Sequence, residues 1–348
     1  MSRKERPRIE PSTLKRILLI RLRRIGDVVM TTPAVAALKK SLPRASLTYI
    51  AEEPYRRLVE GNPRLGRVIS VPPDQGFLDF LGFIRKLRRE KYDALIDFHG
   101  GPRASRIAFL ARARVKAGYK LKYKNFIYDI RLPRGRKDGY IHSVENHLNL
   151  VKALGIAVSE LSPLELPSAR PEEKKRIDAY WRENDLAGKK AVVLHIGAGN
   201  AFRDWGADNL AALSDLLAGR SGVKVILVGS AGDKPREKEI LGTIRRPVLS
   251  LVAELNLIEL RELLGQAALF VGPDSGPMHI AAAAGTPIVA LFGPTLPENF
   301  GPWQAEATLI ARDLDCRPCR QRRCITDDFR CLRSIRPEEV YDACLVYL

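Results

Sequence analysis

The stretch Ala268–Pro294, ALFVGPDSGPMHIAAAAGTPIVALFGP, constrains this chain more than any other. An apolar run ends at Gly272, a short polar turn follows, then a small-residue helix and a second apolar run. That is a strand–helix–strand unit, which places a ligand at the carboxyl end of its first strand. Ser275 fits an N-cap, and Pro277 falls in the first helical turn, where a missing N–H costs little. Gly285 stops the helix, and Thr286-Pro287 leads into the next strand. The N–H groups around Gly276 are then left without helical acceptors and form a seat for an anion such as a diphosphate. Asp274 and His279 flank that seat. The same residues also suit a capped core helix with a turn aspartate.

Comparable alternation fills the rest of the chain. Arg16–Arg21 is a short buried strand, Leu22–Asp27 a turn containing Gly26, Val28–Leu42 a helix and Ser46–Ala51 a second strand. Strands at Arg67–Val71 and Ala94–Phe98 bracket a basic helix at Phe77–Glu90. A helix near Ser105–Ala113, a basic loop and a helix at Val144–Leu154 follow. Pro163, Pro167 and Pro171 then punctuate a polar linker. Beyond it come a helix at Glu172–Asn184, a strand at Ala191–Ile196 running into Gly197-Ala198-Gly199-Asn200, and a helix at Leu210–Ala218. Val223–Val228 is a strand ending in Gly229-Ser230, and Ile258–Ala267 a helix entering the opening unit. The expectation is an α/β chain of two successive open domains, 1–167 and 168–348, each with a parallel sheet. A length of 348 residues accommodates two such cores.

Hydrophobic residues at 45% and charged residues at 28% describe a water-soluble globular chain, and no apolar run approaches the ~20 residues of a membrane-spanning helix. The basic opening, MSRKERPRIEPSTLKR, has no apolar core of a secretory signal, so a cytoplasmic protein is expected. The formal charge of +18 calls for an anionic partner: nucleic acid, phosphorylated glycolipid or the negative face of a membrane. No nucleic-acid module is recognisable, although charge alone does not reject RNA. One dense cluster is Lys116–Lys137, KAGYKLKYKNFIYDIRLPRGRK. Near the carboxyl end, Cys316, Cys319, Cys324 and Cys331 are interleaved with Arg317, Arg320, Arg322 and Arg323, and Cys344 stands apart in a final helix. Their spacing does not match a standard zinc module, and reduced buried thiols fit as well as metal ligands.

Ile25-Gly26-Asp27 lies between the first strand and its helix. There Asp27 either complements the helix dipole or serves as general base toward an acceptor hydroxyl. Neither glycine motif completes G-x-G-x-x-G, which disfavours a nicotinamide dehydrogenase. No P-loop and no G-x-S-x-G nucleophile motif is present. Of the five histidines, His279 has the best context, and His195 suits a role supporting its loop.

RRIGDVVMTTPAVAALKKSLP near the start, paired with GPDSGPMHIAAAAGTPIVALFGPT near the end, resembles the bacterial heptosyltransferases. The resemblance extends through YDALIDFHGGPRAS, VVLHIGAG and VILVGSAGD, covering nearly the whole chain. It implies an inverting glycosyltransferase of the GT-B type, with two Rossmann-like domains facing across a cleft, acceptor on the first and nucleotide sugar on the second. Its expected reaction moves heptose from ADP-heptose to the lipopolysaccharide inner core, without a metal or other cofactor. Asp27 matches the family's catalytic base. Asp274, Ser275, Gly276 and His279 match its donor-binding block, Asp233 an acidic position near the ribose, and Ala198 and Gly199 its phosphate-facing loop. Where the family places a lysine before a tryptophan, this chain has Arg203-Asp204-Trp205. Arg203 can neutralise a phosphate with a different geometry, which leaves open another nucleotide sugar or an acceptor outside lipopolysaccharide. Arg103, Arg106 and the Lys116–Lys137 cluster are expected to attract an anionic glycolipid acceptor and the inner face of the cytoplasmic membrane, with no nucleic-acid partner. A non-catalytic RNA- or membrane-binding module is the reading from another class.

Overall fold

The computed structural model describes residues 9–72, 76–122, 125–135 and 139–348. The chain divides into two compact units, Met1–Pro167 and Ser168–Leu348. The first runs β1 (Arg16–Ile20), α1 (Ile25–Val29), α2 (Thr32–Ser41), β2 (Ser46–Glu52), β3 (Arg67–Val71), α3 (Phe77–Arg89), β4 (Tyr92–Asp97), α4 (Pro102–Leu110), β5 (Ala113–Tyr119), β6 (Ile130–Leu132) and α5 (Ser143–Lys152). Its strands form one parallel sheet in the order β3-β2-β1-β4-β5-β6. Ile17, Leu18, Leu19 and Ile20 are fully buried, as an unbroken apolar run demands of a strand covered on both faces. Ile84 and Leu87 of α3 join Ile107 and Ala108 of α4 in one apolar cluster on this sheet, while α2 and α5 pack on each other.

The second unit runs α6 (Pro171–Glu183), β7 (Lys190–His195), α7 (Ala207–Ala218), β8 (Val223–Val228), α8 (Lys234–Thr243), β9 (Leu249–Ser250), α9 (Leu257–Gln266), β10 (Leu269–Pro273), α10 (Gly276–Ala284), β11 (Ile288–Phe292), α11 (Pro297–Phe300), β12 (Ala307–Ala311), α12 (Arg330–Arg333) and α13 (Pro337–Leu345). Its parallel sheet has the order β12-β11-β10-β7-β8-β9. Both sheets confirm the α/β class. In each, strand order reverses once, between β1 and β4 in the first and between β7 and β10 in the second. Diverging connections open a crevice at such a reversal, at the carboxyl ends of the two strands.

Several local expectations are corrected. The helix over Val28–Leu42 is two helices, because the Thr31 and Thr32 hydroxyls donate back to Val28 O (2.7 Å) and Val29 O (2.8 Å) and Pro33 has no N–H to continue the ladder. Leu22–Asp27 is not all turn: α1 begins at Ile25 and Asp27 is its third residue. The basic loop holds β5 and β6, with Val115, Ala117 and Tyr119 buried beneath interspersed cations. Within it Tyr123, Lys124, Arg136 and Lys137 lie outside the described residues, as do residues 1–8 of the opening segment. In the second unit α8, β9, β12, α11 and α12 add to the elements read from pattern.

Candidate active site

The first reversal gathers the loops after β1 and β4. Arg21, immediately beyond β1, is buried at 4% exposure; its Nη1 donates to Phe98 O at 2.8 Å and its Nη2 stands 2.5 Å from Asp27 Oδ1. Early in α1, Asp27 also accepts the Arg24 N–H at 3.3 Å, closing the first helical turn. Burial pushes the Asp27 carboxyl upward, but Arg21, the Arg24 N–H and Arg134 outweigh it, and the net displacement is below the ordinary carboxylate value. Asp27 is therefore ionised at neutral pH.

His99 follows β4. Burial first, and then the Arg21 charge, drive its pKa down to about 4; Asp27 opposes this, while Arg134 and Arg23 reinforce it. All four charged groups thus act on one neutral imidazole. Beneath it, Asp97 is fully buried and accepts the His99 N–H (2.8 Å), the Gly100 N–H (2.9 Å) and the Tyr128 hydroxyl (2.5 Å), which fixes the turn. Arg134 lies over the Tyr119 ring at 4.6 Å and reaches Phe98 O at 3.4 Å. Sequence reasoning missed Arg21, Arg134 and His99 as site residues. The available signal was position, since residues just past two strands flanking a reversal line its crevice. Arg103 of α4 is engaged by the fold, bonding Glu52 Oε1 at 2.7 Å and the Pro72 carbonyl, whereas Arg106 is exposed.

The second reversal brings Gly197-Ala198-Gly199 after β7 to Asp274-Ser275-Gly276 after β10. Ser275 occupies the N-cap of α10, yet its hydroxyl makes no capping bond; it meets His195 Nδ1 at 3.3 Å. The first N–H groups of α10 are consequently left for a ligand, and Ser275 and Gly276 are only half-buried. Asp274 is enclosed and accepts the Thr295 hydroxyl at 2.6 Å. His279 is enclosed as well, one turn into α10. Arg203 Nη1 donates to Asp274 O at 3.0 Å and lies 3.4 Å from its Oδ2, so a guanidinium stands at the anion seat. Its neighbour Asp204 pairs with Arg236 at 2.6 Å, and Trp205 is buried with its Nε1 donating to Ile335 O at 2.8 Å.

Asp233 closes the turn after β8 by accepting Ser230 N and Oγ, both at 2.7 Å. A Cβ on Gly197 would come within 2.6 Å of its Oδ2, so any larger residue there would displace the Asp233 carboxylate. Gly199 has φ +67°, again a glycine conformation, and nothing lies near it. His195 is pushed down to about 4 by burial, which Asp233 opposes and Arg236 reinforces. A small cavity is lined by His195, Gly197, Ala198, Arg203, Trp205 and Arg236. From the cysteine segment, Gln321 Oε1 accepts Asn200 Nδ2 at 3.0 Å and Arg203 Nε at 3.3 Å, so that segment positions the loop after β7. All five cysteines are free, and among the described residues no group of three or more His, Cys, Asp or Glu stands where it could hold a metal ion.

Residues 80–329 match the model of glycosyltransferase family 9 (heptosyltransferase). Lipopolysaccharide heptosyltransferase 3 of Escherichia coli is 29% identical over 295 residues, spanning 80% of this chain and 83% of that one. Among solved structures, a glycosyl transferase family 9 protein of Veillonella parvula superposes with a TM-score of 0.84 at 24% identity, covering 97% of this chain and 98% of that one. The ADP-heptose lps heptosyltransferase II of E. coli superposes with a TM-score of 0.77 at 22% identity, covering 95% and 98%. At these identities the superpositions speak for the fold.

Proposed function

Because the chain belongs to glycosyltransferase family 9, we propose that it transfers heptose from ADP-heptose to the lipopolysaccharide inner core with inversion at the anomeric carbon, Asp27 acting as general base. The observation that carries this reading is the Arg21–Asp27 pair at the first sheet's reversal, a carboxylate held ionised where such folds receive ligands. The acceptor hydroxyl oxygen attacks the anomeric carbon, the bond from that carbon to the diphosphate breaks, and the proton passes to an Asp27 oxygen. With its pKa held low, Asp27 is a weak base at rest; proton transfer then follows as the attacking hydroxyl acidifies.

The second unit takes the donor. The departing diphosphate gains charge as the bond breaks, and the α10 N–H groups at Ser275 and Gly276 together with Arg203 meet that charge. Ala198 and Gly199 bring backbone to the phosphates, and Asp233 lies near the ribose. Asp274 and His279 shape the seat. Arg106, exposed on α4, draws the anionic acceptor to the first unit, at the inner face of the cytoplasmic membrane, while Arg103, held by Glu52, contributes less. The heptose of the donor assignment draws support from the family match and from the heptosyltransferase 3 relative.

One observation favours a second reading. Arg203 presents a guanidinium where the resemblance expects a lysine, which admits a different nucleotide sugar or an acceptor outside lipopolysaccharide. Thermal-shift titration with ADP-, GDP- and UDP-sugars separates the donors, since only the first should stabilise a heptosyltransferase strongly, and transfer assays with lipopolysaccharide and other acceptors separate the acceptors. The direct test is Asp27→Asn: donor affinity should persist while transfer falls at least about a hundredfold. Near-normal turnover would remove Asp27 from the mechanism.

A further inference from the structure

Helix α3 carries two faces that a core helix does not need. Ile84 and Leu87 are buried in the first unit's apolar cluster, and Phe80 and Phe83 pack against it. The adjoining outward side is apolar again at its start: Phe77 is 75% exposed, Leu78 80% and Leu81 44%. At 100° per residue, these three fall with Arg85, Arg88 and Arg89 inside an arc of about 120°. Among the described residues, none of Arg85, Lys86, Arg88 and Arg89 is in an ion pair. The face is continuous with neighbouring elements. Arg88 acts on Lys116, whose Nζ donates to Phe109 O at 3.1 Å. Phe109, 55% exposed on α4, meets the 73% exposed Phe126 edge-on at 5.8 Å.

Exposed phenylalanine and leucine beside unneutralised arginines match the chemistry of a bilayer interface, apolar inside and anionic at its surface. We infer that the outward face of α3, continued by Phe109 and Phe126, docks this protein onto an anionic phospholipid bilayer. Phe77, Leu78 and Leu81 enter below the headgroups while Arg85, Arg88 and Arg89 remain among the phosphates. The inference rests on the reading of the acceptor as a membrane-anchored glycolipid, and it centres the membrane contact on α3, with Phe126 of the Lys116–Lys137 cluster at its edge.

Vesicle sedimentation of the full chain tests it, using phosphatidylethanolamine vesicles with and without phosphatidylglycerol. Binding should require phosphatidylglycerol and weaken with salt. Arg85→Gln/Arg88→Gln/Arg89→Gln should lower the partition about a hundredfold, at about fivefold per cation, and Phe77→Ser/Leu78→Ser should weaken it at high salt as well. A charge-matched control on the second unit, Lys189→Gln/Lys224→Gln/Lys238→Gln, should bind as the parent does. Equal losses in the control, parental binding by both α3 variants, or no binding by the parent would overturn the inference. So would RNA binding or self-association abolished by the α3 variants with vesicle binding unchanged. Activity on a soluble, deacylated acceptor separates the two readings: the α3 variants should retain it, whereas a parent inactive on every heptose acceptor refutes the functional reading without touching the vesicle result.

Discussion

Arg21→Met is the substitution that most directly probes how the first unit prepares its carboxylate. Methionine keeps most of the aliphatic volume and removes a guanidinium that is 4% exposed. Two bonds disappear, to Asp27 Oδ1 at 2.5 Å and to Phe98 O at 2.8 Å. A bond to a buried charge contributes about 1.5–3 kcal/mol. The Asp27 side chain, however, is 37% exposed, so water screens its half of the pair toward the ~0–1 kcal/mol of surface pairs. Removing the cation also removes its desolvation cost, and Arg134 Nη2 still reaches Phe98 O at 3.4 Å. The balance is a destabilisation of about 1–2 kcal/mol, a melting-temperature drop of about 2–8 °C for a unit of this size. The pH dependence is sharper. The folded pKa of Asp27 lies below the ordinary 3.8, so its contribution to stability is present above that value and lost as pH falls through the folded one. The gap between parent and variant should accordingly close in acid. On the proposed mechanism transfer needs the ionised carboxylate, so the parent's acidic limb should lie below the ordinary carboxylate range and the variant's should move upward. Arg21→Lys, which keeps a charge without the fork, should return the limb toward the parent. Initial-rate pH profiles and thermal melts read both effects. An unmoved limb in a folded Arg21→Met protein, or a stability gap constant into acid, refutes the reasoning.

Two further outcomes are expected. Arg203→Ala should raise the donor KM about 10- to 100-fold, the loss of one charged contact to a phosphate, with Arg203→Lys recovering part of it; unchanged donor binding in both would take Arg203 out of the seat. His99 and His195, each held at about 4, should remain neutral across pH 5–8, so histidine C2–H resonances followed by NMR should not move for these two in that range. A titration of either near 6.5 would contradict the burial described for it.

Legibility followed locality. The places of Asp27, Ser275 and Gly276 at helix starts beyond strand ends could be read because each lies in a short strand–turn–helix whose periodicity and glycines are visible in a few residues. Arg134 could not, since it reaches Phe98 O and Tyr119 only after β6 pairs beside β5, and no local pattern encodes that pairing. β5 itself was hidden because ARVKAGY sets cations between its inward residues and reads as a solvated loop. Ser275 shows a subtler limit. Its type and position match an N-cap, but His195, brought alongside by the pairing of β7 with β10, takes its hydroxyl. The cap position stands as read, and only its side-chain bond is lost to a neighbour distant in sequence.

The same topological device is used twice with opposite electrostatics. At the first reversal a buried cation, Arg21, holds a partly exposed anion, so the group presented to solvent is a carboxylate able to accept a proton. At the second, an enclosed anion, Asp274, is tied down by Thr295 and positions the half-buried Arg203, so what is presented is a cation beside free helix N–H groups. A proton acceptor and a phosphate acceptor are the two requirements of displacing a diphosphate by a hydroxyl. In each case an inner partner decides which charge faces outward. Thr295→Val and Arg21→Met therefore perturb catalysis through a neighbour, and their signatures differ accordingly: the first should appear in donor affinity, the second in the pH profile.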